Sequence, residues 1–294
     1  MDLLCHEDPA VSTPESTTPP NNNDAILSLE AIEDTLAVLR ATEARSMANP
    51  KYIHDVQTDG MTAEWRANVV GWMTNVAGML NFEVKTTALA MNYFDRFLSE
   101  RSVEKPQVEV LALACVLAAS KFNEQDALTI TEAVAISGDH EAATIVAAEK
   151  DLLKTLNWQL HAVLPHHFLE CHIERLEADA TVLDLCLDLL SRTAVDMKML
   201  AFPPSTLAVA CLSVAFSELH MPFPAARFEA DMVGGYRACK AAVAAIARPA
   251  PAVAECATPT APTKLKRSAS PSGVEDVYEC DSPVVIKRQR LYSA

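Results

Sequence analysis

The chain has 294 residues, 50% of them hydrophobic, with seven glycines, 6% aromatics and a net charge of −15. That is core material for one large domain or two of about 100 residues each, in a composition that favours helices and leaves no glycine loop to cradle a phosphate. Beyond Arg248 six basic residues face five acidic ones, which puts −16 on residues 1–248, a field that repels phosphate backbones and excludes nucleic acid as a direct ligand.

The first seven residues contain Leu-x-Cys-x-Glu, at Leu3, Cys5 and Glu7. Side chains two apart point the same way in an extended chain, so these three share one face. Such a segment can lie in a groove on another protein with its side chains in pockets. Asp2 and Glu7 occupy the place of a basic n-region, so no secretory signal peptide is expected. Residues 8–23 are rich in Pro, Ser, Thr and Asn and read as part of a disordered tail over 1–23. Over 24–60 come a helix and a linker. Ile26, Leu29, Ile32, Leu36 and Leu39 recur at helical spacing to about Arg45, with Asp24 as candidate N-cap, before Asn49-Pro50 and Asp59-Gly60.

Residues 61–161 read as a block of five helices. The first, near 62–80, carries Trp65, Val69, Trp72, Met73, Val76 and Leu80 on one stripe, and the second runs near 83–99. The third follows Pro106 and is apolar almost all round, as a helix buried on every side would be. A short fourth lies near 129–136 and a fifth over about 141–157. A second helical block occupies 162–248. Its third helix starts at Pro203-Pro204 and reads Leu207-Ala208-Val209-Ala210-Cys211, against Leu111-Ala112-Leu113-Ala114-Cys115 in the first block, an offset of 96 residues. Small residues at these places let neighbours pack closely around a central helix. The fold class is therefore all-α: two bundles in tandem, each wrapped around an alanine-rich helix, with an N-terminal helix and disordered tails.

The tail over 249–294 is rich in Pro, Ala, Ser and Thr. Thr258, Ser270 and Ser282 each precede proline, as do Thr13 and Thr18 near the other end, and can accept proline-directed phosphorylation. The clusters Lys264-Leu-Lys-Arg267 and Lys287-Arg-Gln-Arg290 have the character of a nuclear localisation signal, so a nuclear location is expected. No apolar run reaches about 18 residues uninterrupted, so no membrane span is expected. The eight cysteines form no CxxC, and several lie in apolar runs, as buried thiols of a reducing compartment do. His167, Cys171 and His172 lack a fourth ligand, so neither a metal nor another cofactor is expected. No nucleophile, dyad or paired-carboxylate arrangement stands out, and an enzyme is not expected.

Several segments together resemble the cyclin family. Asn92-Tyr-Phe-Asp-Arg-Phe-Leu-Ser99 resembles the second helix of a cyclin box, Leu117-Ala-Ala-Ser-Lys-Phe-Asn-Glu124 the end of its third, and Glu149 to Trp158 its fifth. Pro165-His-His-Phe168-Leu169 resembles the entry to a second cyclin fold. With the N-terminal motif, the chain is similar to a D-type cyclin, most closely the plant and green-alga kind. The resemblance covers about residues 24–248 and implies two five-helix folds in a non-catalytic subunit that activates a cyclin-dependent kinase to promote G1/S progression. It implies a retinoblastoma-like pocket protein on Leu3, Cys5 and Glu7, and a kinase inhibitor as a further partner. It places Lys121 and Glu149 at the kinase contact, with Glu124, Leu153 and Trp158 beside them and the N-terminal helix packing on both the second fold and the kinase. Moving Lys121 by 96 residues lands on Ser217, so only the first bundle keeps the lysine. Arg66 and Asp95 match a salt bridge bracing the first two helices. Trp65, Val69 and Trp72 match a substrate-docking patch in which only Trp72 is unchanged. Two other readings share the helical pattern. One is a cyclin-fold transcription factor, which the −16 body and the absence of paired cysteines near the N-terminus disfavour. The other is a helical scaffold without a kinase.

Overall fold

The computed structural model describes residues 29–232 and 234–248. All regular elements among them are helical: α1 (Leu29–Thr42), α2 (Tyr52–Asp55), α3 (Ala63–Leu80), α4 (Val84–Glu100), α5 (Val108–Asn123), α6 (Ile130–Ser137), α7 (Ala142–Thr155), α8 (Pro165–Leu176), α9 (Ala180–Val195), α10 (Pro204–Glu218) and α11 (Tyr236–Ala247), with short 3-10 turns between. None is long and apolar enough to cross a membrane. Asp24 and both sequence-predicted tails, with Leu3, Cys5, Glu7, Thr258, Ser270 and Ser282, lie outside the described residues.

α3–α7 form the first bundle around α5, and all of Val108–Ser120 except Glu109 is buried. Leu113, Ala114, Cys115 and Leu117 have no exposed surface. The second bundle repeats the plan around α10, buried over Ser205–Phe216 except Leu207. Val108 and Pro204, where the two central helices start, are 96 positions apart, so the alanine-rich repeat is a repeat of structure as well as of sequence. In the second bundle a single 3-10 turn over Ala225–Phe228 fills the fourth place. Pro224 stands directly before this turn, and Gly234-Gly235 separate it from α11.

Helix N-termini carry unpaired N–H groups, and distant carboxylates satisfy two sets of them. Glu124 accepts from the backbone N–H of Glu83 at 2.8 Å and from Thr86 Oγ1 at 2.5 Å, at the start of α4. Glu43, just after α1, accepts from Ser205 N and Ser205 Oγ, each at 2.9 Å, at the start of α10. α1 packs on the second bundle, where Ile32 and Leu36 meet Phe168, Cys171 and Ala208. Arg40 grips the buried Asp231 through Nε at 2.5 Å and Nη2 at 2.8 Å.

Arg66, on α3, is 2% exposed and donates Nε to Asp95 Oδ1 and Nη2 to Asp95 Oδ2, both at 2.7 Å. Tyr52 Oη donates to the same carboxylate at 2.9 Å. The remaining donor, Nη1, reaches the carbonyls of Ala194 at 2.8 Å and Val195 at 3.2 Å, the last of α9. The brace expected between two helices therefore also ties the first bundle to the second. Burial works against the Arg66 charge, and Asp95 outweighs it, holding the guanidinium above its ordinary pKa.

Candidate functional site

α5 ends at the surface, and its last turn carries Lys121. Lys121 Nζ donates to both carboxylate oxygens of Glu149, at 2.7 and 2.8 Å. Lys121 is 45% exposed at its side chain and Glu149 12%, so the pair sits at the rim of the protein, carboxylate inward and ammonium outward. Only the first bundle has such a pair, because α10 carries Ser217 at the equivalent place.

The helices that carry this pair also expose large apolar side chains. Phe122, next to Lys121, is 47% exposed, and Val146 on α7 is also open to solvent. Val146, Glu149 and Leu153 follow i, i+3, i+7 spacing on one face of α7. Past the helix stands Trp158, 68% exposed. Its backbone closes α7: Trp158 N–H donates to Leu153 O at 2.9 Å and Asn157 N–H to Lys154 O at 3.0 Å, the paired bonds of a Schellman ending. Asn157 sits at φ 51° and Trp158 at φ 59°. For a bulky aromatic a positive φ is an outlier that persists only when its surroundings impose it. Trp158, which the resemblance sets beside the kinase contact, is on the surface.

The other sequence-predicted residues divide. Leu153 is half-buried beside the pair. Glu124 lies just past the end of α5, but its carboxylate is engaged by the N-terminus of α4, which gives it a structural task. The expected docking patch is largely closed. Val69 has no exposed surface and Trp72 is buried, because both face the bundle core from α3. Trp65 is half-buried, with Lys105 Nζ 4.2 Å above its ring. Phe122 and Val146 were missed, since a single apolar residue in a helical run reads like core in a sequence.

No group of three or more His, Cys, Asp or Glu among the described residues is arranged to hold a metal ion. The five described cysteines are buried and free. Burial pushes the thiols of Cys186 and Cys239 up to about 12, a range in which they are poor nucleophiles.

The protein-family model of the cyclin N-terminal domain matches residues 34–161, and that of the cyclin C-terminal domain matches residues 163–233. The chain belongs to the cyclin family. Cyclin-D1-1 of Arabidopsis thaliana is 28% identical over 228 residues, which are 74% of this cyclin and 66% of that one. Cyclin-D2-2 of Oryza sativa subsp. japonica is 27% identical over 195 residues, 63% of this chain and 55% of its own. The G2/mitotic-specific cyclin-A of Patella vulgata is 31% identical over 188 residues, 63% and 44% of the two. This cyclin thus spans between 44% and 66% of the length of these relatives. The X-ray structure of a viral cyclin from herpesvirus saimiri shares the fold with a TM-score of 0.63 at 18% identity, over 71% of this chain and 96% of that one. Plant D-type cyclins thus stand among its relatives.

Proposed function

We propose that this cyclin is a D-type regulatory subunit that binds and activates a cyclin-dependent serine/threonine kinase through the ends of α5 and α7. The observation that carries the reading is the Lys121–Glu149 pair, set at the surface on helices that also expose Phe122 and Val146 and lead to the exposed Trp158. Exposed aromatics around a charged, partly desolvated centre are the anatomy of an interface hot spot. Lys121 keeps donor capacity beyond the pair and Glu149 keeps lone pairs, which can serve the backbone of a partner loop as charge-assisted bonds.

The action is allosteric. A kinase needs its Lys–Glu ion pair and activation loop in place before it transfers phosphate, and a partner that binds only the assembled state shifts the population toward it. Moving 1:99 to 99:1 takes about 5.5 kcal/mol of differential affinity, within reach of a large helical interface. Leu3, Cys5 and Glu7 act as a separate tether that brings a retinoblastoma-like pocket protein to the bound kinase, in the nucleus and toward G1/S progression. Tail phosphorylation at Thr258, Ser270 and Ser282 regulates the subunit, and a kinase inhibitor is a further partner of the assembled pair.

The test is co-purification of the full chain with its kinase, followed by a kinase assay on a pocket-protein substrate. Lys121→Ala with Glu149→Ala loses the kinase and keeps the melting profile. Undiminished co-purification of the double variant would defeat the proposal. Cys5→Arg loses the pocket protein and keeps the kinase, and a variant that lost both, or neither, would count against separate sites.

A further inference from the structure

Arg66 and Arg40 each hold a carboxylate in the same way, Nε to one oxygen and Nη2 to the other. Arg96, on α4, is 9% exposed, and its fork is empty. Its Nη1 donates to Gln159 O at 2.9 Å and, at 3.5 Å, to Asn92 Oδ1, while Nε and Nη2 have no hydrogen-bond partner among the described residues. No ion pair involves Arg96 among those residues either, and burial holds the guanidinium below its ordinary pKa. Neither Nε nor Nη2 is among the fully buried polar atoms that lack a partner, so both open onto solvent, whereas the Arg66 fork is satisfied within the protein.

Arg96 lines a polar cavity of about 510 Å³, with Arg45, Asn49, Ser99, Glu100 and Asn157 among the other walls. Arg45 and Arg96 against Glu100 leave the walls one positive charge in excess, on a body that is otherwise strongly acidic. Thr155–Asn157 and Gln159 line the cavity, on the segment of chain that also carries the exposed Trp158.

We infer that this cavity is a binding site for the carboxylate of an aspartate or glutamate side chain presented by the partner polypeptide, with Arg96 holding it through Nε and Nη2. One carboxylate cancels the excess charge and matches the planar fork, as Asp95 and Asp231 match the other two. A phosphate dianion would overcharge the cavity beside Glu100. The partner's identity rests on the kinase reading above, but the site itself does not.

The test uses the full chain and its co-purifying kinase. Arg96→Lys keeps the charge and loses the fork, and the expected result is at least a tenfold weaker complex. A zero-length carbodiimide cross-link, which condenses an amine with a carboxylate, should join Lys at position 96 to an acidic residue of the kinase. Glu100→Gln, at an exposed wall, leaves the core untouched and should tighten the complex severalfold. Unchanged affinity in both variants overturns the inference. So does a cross-link only to carboxylates of this chain, or protection of Arg96→Lys from cross-linking by millimolar inorganic phosphate, which would make the site a phosphate site. If Lys121→Ala with Glu149→Ala leaves binding intact while Arg96→Lys weakens it, the kinase face is misplaced and the carboxylate site stands.

Discussion

The guanidinium of Arg66 that grips Asp95 at 2.7 Å also holds the last carbonyls of α9, at 2.8 and 3.2 Å. Removing it strands a buried carboxylate and unties the bundles in one step. Arg66→Ala should cost about 3–5 kcal/mol in urea unfolding. Tyr52→Phe, which removes one neutral donor to the same carboxylate, should cost about 1–2 kcal/mol. Arg66→Ala with Asp95→Ala should be less damaging than the sum of the single changes, because neither partner is then left charged and alone.

Swapping the surface pair separates stability from function. In Lys121→Glu with Glu149→Lys the two charges still meet, and exposure of the lysine keeps the change in unfolding free energy below about 1 kcal/mol. Kinase binding should be lost, since donor and acceptor now face the partner in the wrong order. Retained binding in a pull-down would show that the pair matters only to the helices it joins.

Trp158 should be held in a strained backbone for the sake of its exposed ring. Trp158→Gly removes the positive-φ penalty, so stability should stay level or rise by up to about 1 kcal/mol. Affinity for the kinase should fall at least tenfold, because the largest exposed apolar group on that face is gone. A thermal melt and a binding titration on one preparation decide it, and a loss of both would assign the ring a packing role.

The acid limit of stability should trace to His166 and His172. Both are buried, and none of their four ring nitrogens has a hydrogen-bond partner among the described residues. His172 Nε2 stands 3.6 Å from Asp231 Oδ2, just too far for a bond. Burial lowers both imidazoles to about 4, in His172 against the pull of Asp231. The folded chain thus keeps them neutral while the unfolded chain takes up protons below about pH 6.5. Stability is complete above that pH and falls progressively toward pH 4, by up to roughly 3 kcal/mol for each histidine. His172→Phe, placed against Phe168 and Phe228, should flatten part of that slope in melts taken at pH 7 and pH 5.

Much of the architecture was legible because burial leaves a period in the residues. The all-round apolar run of α5 and its echo 96 residues later announced two buried central helices, and Arg66 with Asp95 was found as a pair. What stayed hidden depends on three-dimensional neighbours. Glu124 resembled a contact residue until the N-terminus of α4 was seen against it. Val69 and Trp72 resembled a docking surface, although the stripe they share is the one that faces the core. Arg96 carries no signal of its own in the sequence, because an unpaired fork is recognised only by what does not surround it.

The clasp of Arg40 on Asp231 joins residues 191 positions apart, which gives the molecule a schedule. α1 leaves the ribosome before either bundle, yet its apolar stripe packs on Phe168, Cys171 and Ala208 of the second bundle. At about 5–20 residues per second, the interval before Asp231 emerges is roughly 10–40 s. Until Phe168, Cys171 and Ala208 have emerged, Ile32 and Leu36 have nowhere to go, so this early helix is among the last to be seated, and a chain cut short before the second bundle would carry it uncovered.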